Sequence, residues 1–297
     1  MLPAAIAYSA VVGLEAVWHG VVATPDILLV ALMPLALLTG RFITWLKDWV
    51  PFIGLLLGWE AMRSIADTFS ATGVHYGSLR PELALFGGRL PEIWLQQELY
   101  HSPLAGLLNN FTAMIDLLHF PAVVAIAFVI WLHGRPAFLV YSGALFATAL
   151  AAFAIFLLLP TAPPWYAQEH GAISGLQHVM VQVMPVEWSE YYESLNPNPV
   201  AANPSLHAAF PFVGFLALLR LRSWLAWPLL AWCLAVWFSV VYLGEHYLLD
   251  IVCGAALAAL CHQLAVSAFA AYGHRKVETV GVQGQAEVAR GKAWDGA

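Results

Sequence analysis

The sequence predicts an all-α protein, a polytopic bundle of transmembrane helices. Of the 297 residues, 61% are hydrophobic and only 10% are charged, with a mean hydropathy of +0.74. Soluble domains carry about 25% charged residues. Several apolar runs also reach the roughly 20 residues that a helix needs to cross a bilayer. No segment alternates apolar with polar residues, which argues against transmembrane strands.

The apolar runs define six to eight candidate spans. The last five are clear, whereas Glu15 and His19 interrupt the first, so that it either crosses the bilayer or lies in its interface. No basic start or small-residue cleavage site accompanies that first run, so we expect it to be retained and not removed as a signal peptide. The candidate spans, in chain order, are residues 4–23, 26–46, 50–67, 111–133, 137–160, 205–222, 225–243 and 247–270.

Polar segments divide the chain into three parts. Residues 1–110 hold the N-terminal spans and an interfacial segment, and residues 111–271 hold a core of five spans. Residues 272–297 are polar and rich in Gly and Ala, a composition that indicates a disordered cytoplasmic tail. The three cysteines all stand in apolar runs, where a free Cys is usually a small core residue. Nothing in the chain indicates binding to nucleic acid.

The positions of Lys and Arg indicate the orientation in the membrane. Short connections between spans carry Arg135, Arg220 and Arg222, and alternation of the spans puts these residues on one face. The long segment 161–204, on the other face, contains four Glu and no Lys or Arg. Because the more basic face is normally cytoplasmic, we expect an integral protein of the plasma membrane with segment 161–204 outside the cytoplasm.

A histidine and an aspartate stand four residues apart near the start of the last span, in "YLGEHYLLD". On a helix, His246 and Asp250 share a face, and Gly244 just before them suits a helix start. Ionisable groups within a membrane are unfavourable unless they pair or face a wet cavity. The spacing is compatible with a structural pair as well as with a functional one.

A second histidine opens the span 205–222, in "NPSLHAAF". The topology places His207 and His246 at the same depth on the outer face. Asn203 suits a helix N-cap, and Pro204 suits the first helical position. Free N–H groups at the starts of both helices attract an anion. We therefore predict a phosphate-binding cleft at the extracytoplasmic face.

Four other residues near the outer ends of spans are candidate substrate-binding residues. Asp116 and His119 occur in "TAMIDLLHF", Trp165 in "PTAPPWY" and Arg63 in "EAMRSIAD". A structural role is equally open for Arg63, which can extend to the interface, and for Trp165, which can anchor there. Asp116 is the hardest to explain structurally, because it is an acid within an apolar run.

Two motifs resemble a known family. "PSLHA" followed by "YLGEHYLLD" resembles the second and third signatures of the type 2 phosphatidic acid phosphatase superfamily, over about residues 111–271. "LPTAPPWY", and "SLHA" where many members read S-G-H, resemble in particular its inositol phosphorylceramide synthase-type branch. Ser205 and Tyr242 stand within these motifs and join the candidate substrate-binding residues.

The resemblance implies a mechanism through phosphohistidine. His246 is then the nucleophile, Asp250 holds and charges its ring, and His207 is the general acid that later acts as the base. Histidine suits these roles because it titrates near neutral pH; spacing alone allows the reverse assignment of the two histidines. The resemblance implies no metal and no other cofactor.

The sequence departs from the phosphatase members of that superfamily at the cationic positions. Val240 stands where those members carry an Arg, and their first signature is missing. "GRP" at 134–136 resembles it, but the topology puts Arg135 on the cytoplasmic face. This loss is shared with the synthase-type branch and favours transfer over hydrolysis. The candidate cationic ligands of phosphate are Arg63, Arg80 and Arg89.

We therefore expect a membrane-embedded lipid phosphotransferase that moves a phosphoryl or phosphopolyol group between a lipid and an acceptor. The alternatives are a phosphatase acting on phosphatidic acid or a polyprenyl phosphate, a transporter, and a metal site. Polar groups gather at one face and no inverted repeat is visible, which disfavours the transporter. The expected partners are a lipid with a phosphate head group and the bilayer; the oligomeric state stays open.

Overall fold

The computed structural model describes five parts of the chain, and every regular element in them is a helix, as predicted. The predicted span 4–23 and the first part of the predicted span 26–46 lie outside the described residues, apart from residues 11 and 32–33. Side chains are left undescribed at residues 60, 63–69 and 273–294. The described parts are residue 11 and residues 32–33, 36–69, 73–183 and 199–294.

Ten helices follow one another in these ranges. They are α1 (Phe42–Phe69), α2 (Leu79–Leu85), α3 (Pro91–Leu99), α4 (Ala105–His133), α5 (Arg135–Leu158), α6 (Pro164–Glu169), α7 (Val179–Val183), α8 (Leu206–Arg220), α9 (Ala226–Leu243) and α10 (Leu248–Trp294).

Four of these helices are long and apolar enough to cross a membrane: α4, α5, α9 and the Leu248–Tyr272 part of α10. α8 is apolar as well but shorter. These five helices coincide with the five clear predicted spans, which confirms a polytopic helical bundle. The backbone of α10 continues to Trp294, and the predicted disorder of the tail stays a prediction.

α1 differs from the prediction of a break between residues 46 and 50. The helix runs without interruption through Pro51, and the break lies earlier, at Gly40, whose φ of +68° favours glycine. The charged residue Asp48 lies within the predicted break, but it is buried in the structure. Its carboxylate accepts hydrogen bonds from Arg135 Nε at 2.7 Å and from Trp131 Nε1 at 3.1 Å. Tertiary partners on α4 and α5 therefore satisfy a charge inside the helix.

α8 is the central helix of the bundle and contacts α4, α5, α9 and α10. Small residues permit this close packing: a Cβ at Gly214 would lie 2.5 Å from Ile126 Cγ2 of α4. A Cβ at Gly254 of α10 would lie 2.2 Å from the carbonyl oxygen of Ser205, the residue just before α8. The first turn of α8 is therefore supported by direct backbone contact with α10.

Two segments of short helices cover the end of the bundle where α8 and α10 begin. α2 and α3 precede α4, and α6 and α7 follow α5. Isolated bridges join His75 to Thr161 and Thr161 to Ala201. Gln96 of α3 donates to the carbonyl oxygens of Tyr242, at 2.7 Å, and Gln177, at 3.0 Å. These contacts fix the segments over the helix ends that carry the predicted site.

Candidate active site

His207 and His246 meet at this end of the bundle, although they are 39 positions apart in the chain. His207 Nδ1 lies 3.0 Å from His246 Nε2, and the two rings are inclined by 60°. His207 is in the first turn of α8, and His246 is in the turn between α9 and α10. The predicted convergence of the two imidazoles is thus present in the structure.

The start of α8 differs in detail from the prediction that Asn203 is its N-cap. Ser205 is the N-cap, and its Oγ accepts a hydrogen bond from the backbone N–H of Ala208 at 3.2 Å. The Asn203 amide instead donates to Asp250 Oδ1 and to Ser78 Oγ, both at 2.9 Å. Asn203 therefore donates to Asp250 and does not cap α8.

Gly244 ends α9 and does not start α10. Its φ of +81° lies in the left-handed region, and a Cβ there would lie 2.8 Å from Leu176 Cδ2, so that both conformation and space require glycine. Glu245 and His246 form a turn, and α10 begins at Leu248. Asp250 still faces His246 because that turn leads directly into the helix.

The N–H groups at the start of α10 are occupied, which corrects the prediction that they are free for an anion. The backbone N–H of Leu248 lies 3.2 Å from Glu82 Oε1 and 3.1 Å from Glu92 Oε1, and that of Leu249 lies 3.0 Å from Glu82 Oε2. Both carboxyl groups are fully buried. Burial, together with the hydrogen bond and charge of Glu82, raises the pKa of Glu92 to about 9. The two acids therefore cap the start of α10.

Asp250 is fully buried and held by three donors. Ser78 Oγ, at 2.5 Å, and Asn203 Nδ2, at 2.9 Å, both donate to Oδ1, and the backbone N–H of Tyr247 donates to Oδ2 at 2.9 Å. His246 Nδ1 lies 3.7 Å from Oδ2. These donors orient the carboxyl group toward the His246 ring.

Asp116 faces the other histidine. Its Oδ1 lies 3.4 Å from His207 Nε2, so that a carboxylate stands at each end of the imidazole pair. His119, one turn further along α4, lies against the His207 ring with centroids 4.6 Å apart and stacks on Phe210. α4 therefore supplies both candidates predicted from "TAMIDLLHF" to the same site.

The two histidines open into a cavity of about 120 Å³. The titratable side chains that line the cavity are those of His, Asp and Glu residues. No Lys or Arg occurs among the described lining residues. Arg80 and Arg89 are exposed and do not line it. Arg63 follows the lining residue Trp59 by one helical turn, but the structure does not describe the Arg63 side chain. The polar lining residues are Asp116, His119, Trp165, His207, Glu245 and His246.

Trp165 lies at the cavity wall next to a carboxyl group that the sequence analysis did not single out. Its Nε1–H donates to Glu245 Oε2 at 3.1 Å. The other oxygen of Glu245 lies 3.3 Å from His178 Nε2. The rings of Trp165 and His178 stack with centroids 4.7 Å apart and an angle of 7°. Glu245 directly precedes His246 in a segment almost without charge, a signal that could have identified it.

Ser205 and Tyr242 do not line the cavity. Ser205 is buried as the cap of α8, and the Tyr242 hydroxyl donates to Asn109 Oδ1 at 2.5 Å. Their predicted contact with substrate stays a prediction. Among the described residues, no group of three or more His, Cys, Asp and Glu side chains has the geometry to hold a metal ion.

Comparison with known proteins identifies the family. The family model described as "PAP2 superfamily" matches residues 88–264, more than half of the 297-residue chain and a range that contains both paired histidines. The described helices form the bundle of an integral membrane protein, and the matched range contains most of that bundle. The chain belongs to the PAP2 superfamily, which confirms the resemblance seen in its two motifs.

The chain is also similar to a curated protein. The chain is 26% identical over 196 residues to the inositol phosphorylceramide synthase catalytic subunit aur1 of Schizosaccharomyces pombe. The aligned region is 58% of this chain and 46% of the relative, so that the chain spans about half of the relative's length. No solved structure matches the chain.

Proposed function

We propose that the protein is a lipid phosphotransferase that carries a phosphoryl or phosphopolyol group on His246. The observation that supports this most directly is the contact between His207 Nδ1 and His246 Nε2 inside a cavity, with Asp250 behind His246. A nucleophile and a proton donor 3.0 Å apart, with an acid 3.7 Å behind the nucleophile, are the parts that group transfer through a covalent intermediate requires.

The first step takes the group from the donor lipid. The phosphorus enters between the two rings and replaces the hydrogen bond between them. The lone pair of His246 Nε2 forms the P–N bond, and the P–O bond to the leaving alcohol breaks. His207 Nδ1–H gives its proton to the departing oxygen. Asp250 lies behind the Nδ1 atom of His246 and balances the positive charge that the ring acquires.

The second step discharges the intermediate. The oxygen of an acceptor alcohol attacks phosphorus while His207 Nδ1 takes the hydroxyl proton, and the P–N bond breaks. The protein returns to its starting protonation state, since one proton is given and one is taken. With water as the acceptor, the same residues perform hydrolysis, which is the phosphatase alternative.

The charge of the cavity favours a phosphodiester donor over a phosphomonoester. Asp116 and Glu245 line it, and its described lining contains no Lys or Arg. A phosphomonoester carries a charge of about −1.5 to −2 at neutral pH, whereas a phosphodiester carries a single negative charge. The lower charge is easier to place beside two acidic side chains, and a diester leaves a head group to be transferred.

We infer that the site lies at the outer leaflet of the plasma membrane. It is formed where α8 and α10 begin, and Arg135 and Asp48 lie where α5 begins, at the opposite end of the bundle. Since basic residues favour the cytoplasmic face, the cavity opens on the other face. A lipid then reaches the histidines with its head group while its chains stay in the bilayer.

Trapping the intermediate tests the proposal. The purified protein is mixed with phosphatidylinositol that carries radioactive phosphorus, quenched, and analysed for protein-bound label that is stable in alkali and lost in acid. We expect label on His246 in the wild type and none in His246→Ala. His207→Ala should label or discharge roughly 10²- to 10⁴-fold more slowly. Label and product formation unchanged in His246→Ala would contradict the proposal.

The products of the same reaction separate transfer from hydrolysis. Label should pass from the protein to an added lipid alcohol such as ceramide, in amounts that rise with its concentration. Exclusive release of a water-soluble phosphate, with phosphatidic acid as the better substrate, would establish the phosphatase alternative. Incubation with a chelator before the assay tests the prediction that no metal takes part.

A further inference from the structure

Glu245 is a buried acid in the cavity that the proposed chemistry does not use. It is 6% exposed, lines the cavity and directly precedes His246. The mechanism needs Asp250 behind one imidazole, and Asp116 stands behind the other. A third carboxyl group near a phosphate is unfavourable by charge, so its position beside the nucleophile calls for a separate role.

The structure holds Glu245 in a fixed orientation from two elements. Trp165 Nε1–H donates to Oε2, and His178 Nε2 lies 3.3 Å from Oε1. Trp165 is itself fixed, because its backbone N–H donates to the carbonyl oxygen of Gly244 at 3.0 Å. The ring of His178 stacks on that of Trp165. This orientation is determined before any ligand enters, as expected of a recognition group.

An ionised carboxylate only accepts hydrogen bonds, and two oxygens offer about four acceptor positions. Trp165 and His178 use two of them. The remaining positions suit a ligand that donates, which is a hydroxyl group or an ammonium group. The oxygens of a phosphate are acceptors as well and do not suit Glu245. The carboxylate therefore fits the head-group side of a lipid and not its phosphorus.

The surroundings of Glu245 favour a hydroxyl over an ammonium group. Burial by itself lowers the pKa of His178, but the hydrogen bonds and charges of Glu245 and Glu169 outweigh it, so that the pKa is raised above its ordinary value. The raised pKa of His178 favours its cationic form, which repels a second cation beside Glu245. A neutral hydroxyl still gains a hydrogen bond to the carboxylate.

We propose that Glu245, held by Trp165 and His178, is the specificity-determining residue that accepts hydrogen bonds from the hydroxyl groups of a polyol head group. This inference rests on the proposed function, because the polyol is part of the phosphodiester that His246 attacks. Its consequence is that Glu245 sets which lipid is used, whereas His207, His246 and Asp250 set whether any lipid reacts.

Lipids that differ only in the head group test this assignment. Phosphatidylinositol and phosphatidylethanolamine with identical acyl chains and labelled phosphorus are compared in mixed micelles, and kcat/KM is measured for the labelling of His246. Glu245→Gln keeps the size but replaces one acceptor with a donor. We expect it to lower the ratio of kcat/KM values, inositol over ethanolamine, by roughly 10-fold or more. The matched control is Glu98→Gln, an exposed acid of α3 that does not line the cavity.

A second variant covers the case that Glu245→Gln fails to fold. Trp165→Phe keeps an aromatic ring but removes the Nε1–H that orients Glu245, and we expect the ratio to fall in the same direction. Folding is followed by size-exclusion elution and by thermal unfolding in detergent.

Three other results would overturn the inference. An equal loss on both lipids, or an unchanged ratio, overturns the inference while the labelling of His246 leaves the proposed function intact. A selective loss on phosphatidylethanolamine shows an ammonium site and also overturns it. Absence of labelling from every lipid in the wild type removes the proposed function and this inference together.

Discussion

Asp116 Oδ1 lies 3.4 Å from His207 Nε2, on the side of the ring opposite to the contact with His246. Asp116, His207, His246 and Asp250 thus form a continuous row, with a carboxyl group at each end and two imidazoles between. The carboxyl group beside Nε2 helps to orient the His207 ring, whose Nδ1 faces His246. Asp116 is placed to act through His207 and is therefore a positioning residue in this arrangement.

Asp116→Asn should lower kcat by roughly 10- to 100-fold, less than loss of the general acid itself, and leave KM little changed. Without this contact the His207 ring is oriented less well for proton transfer. The measurement is kcat and KM for one lipid. A raised KM with unchanged kcat would instead support the substrate-binding role predicted from the sequence.

Asn203→Ala and Ser78→Ala each remove a donor to Asp250 Oδ1. We expect each change to lower kcat by about 10-fold, near the lower end for a lost hydrogen bond to a charged group. Because Asn203 also donates to Ser78, the double variant should lose less than the product of the two effects. Asn110→Ala is the control, since that amide bonds only its own helix at Gly106 in an exposed position. Full activity in the double variant would exclude this support of Asp250.

Gly254→Ala should displace the start of α8. The added Cβ would lie 2.2 Å from the carbonyl oxygen of Ser205, a backbone atom that cannot move without moving His207. Overpacking of this kind typically costs about 1–3 kcal/mol. We expect a lower unfolding temperature and a loss of His246 labelling. Gly143→Ala in α5, where nothing lies within 4 Å of the new Cβ, should change neither, and normal labelling in Gly254→Ala would refute the tight contact.

Glu92→Gln should remove a pH dependence of stability. The pKa of Glu92 is raised from 4.5 to about 9 by burial and by Glu82. Between these values the folded state keeps a proton that the unfolded state releases. Stability therefore falls as pH rises from 4.5 to about 9, by up to about 1.4 kcal/mol per pH unit, and the fall ends above that range.

The measurement is the unfolding temperature in detergent from pH 5 to about pH 9. The wild type and the exposed control Glu98→Gln should decline more steeply than Glu92→Gln, whose amide keeps an acceptor for the N–H of Leu248. Parallel curves for all three proteins would show that Glu92 does not hold the proton.

Arg63→Ala tests the remaining predicted cation. Arg63 stands one turn after Trp59, which lines the cavity. If it binds the phosphate, its loss should lower kcat/KM by roughly 10- to 100-fold, as for a hydrogen bond between charged groups. Arg80→Ala and Arg89→Ala remove exposed residues away from the cavity and should have no effect. If kcat/KM is the same in all three variants, none of the three arginines binds the phosphate.

The two motifs "NPSLHAAF" and "YLGEHYLLD" were sufficient to predict His207, His246 and Asp250, because topology places the starts of their spans on one face. They were also sufficient for the family. The same reasoning was wrong about local geometry: it assigned the N-cap to Asn203 and a helix start to Gly244. Asn203 instead donates to Asp250. Gly244 ends α9 and packs against Leu176.

The roles of Glu82 and Glu92 could not be predicted from the sequence, for a different reason. Glu82 and Glu92 stand in the short helices α2 and α3, 166 and 156 positions before Leu248. Nothing in their order along the chain indicates contact with Leu248 and Leu249. Their burial reverses the expectation for the start of α10, since a helix N-terminus bonded to protein carboxyl groups is closed to a phosphate.

By itself, the sequence determined the helical membrane fold, the five clear spans and the convergence of His207, His246 and Asp250, because hydropathy and helical spacing are local and periodic. Only the tertiary structure decided which acids surround those residues: Asp116 behind His207, Glu245 in the cavity wall, and Glu82 and Glu92 on the last helix. The physical reason is that these contacts join side chains of different elements, and their existence depends on how the helices pack and not on any pattern within one of them.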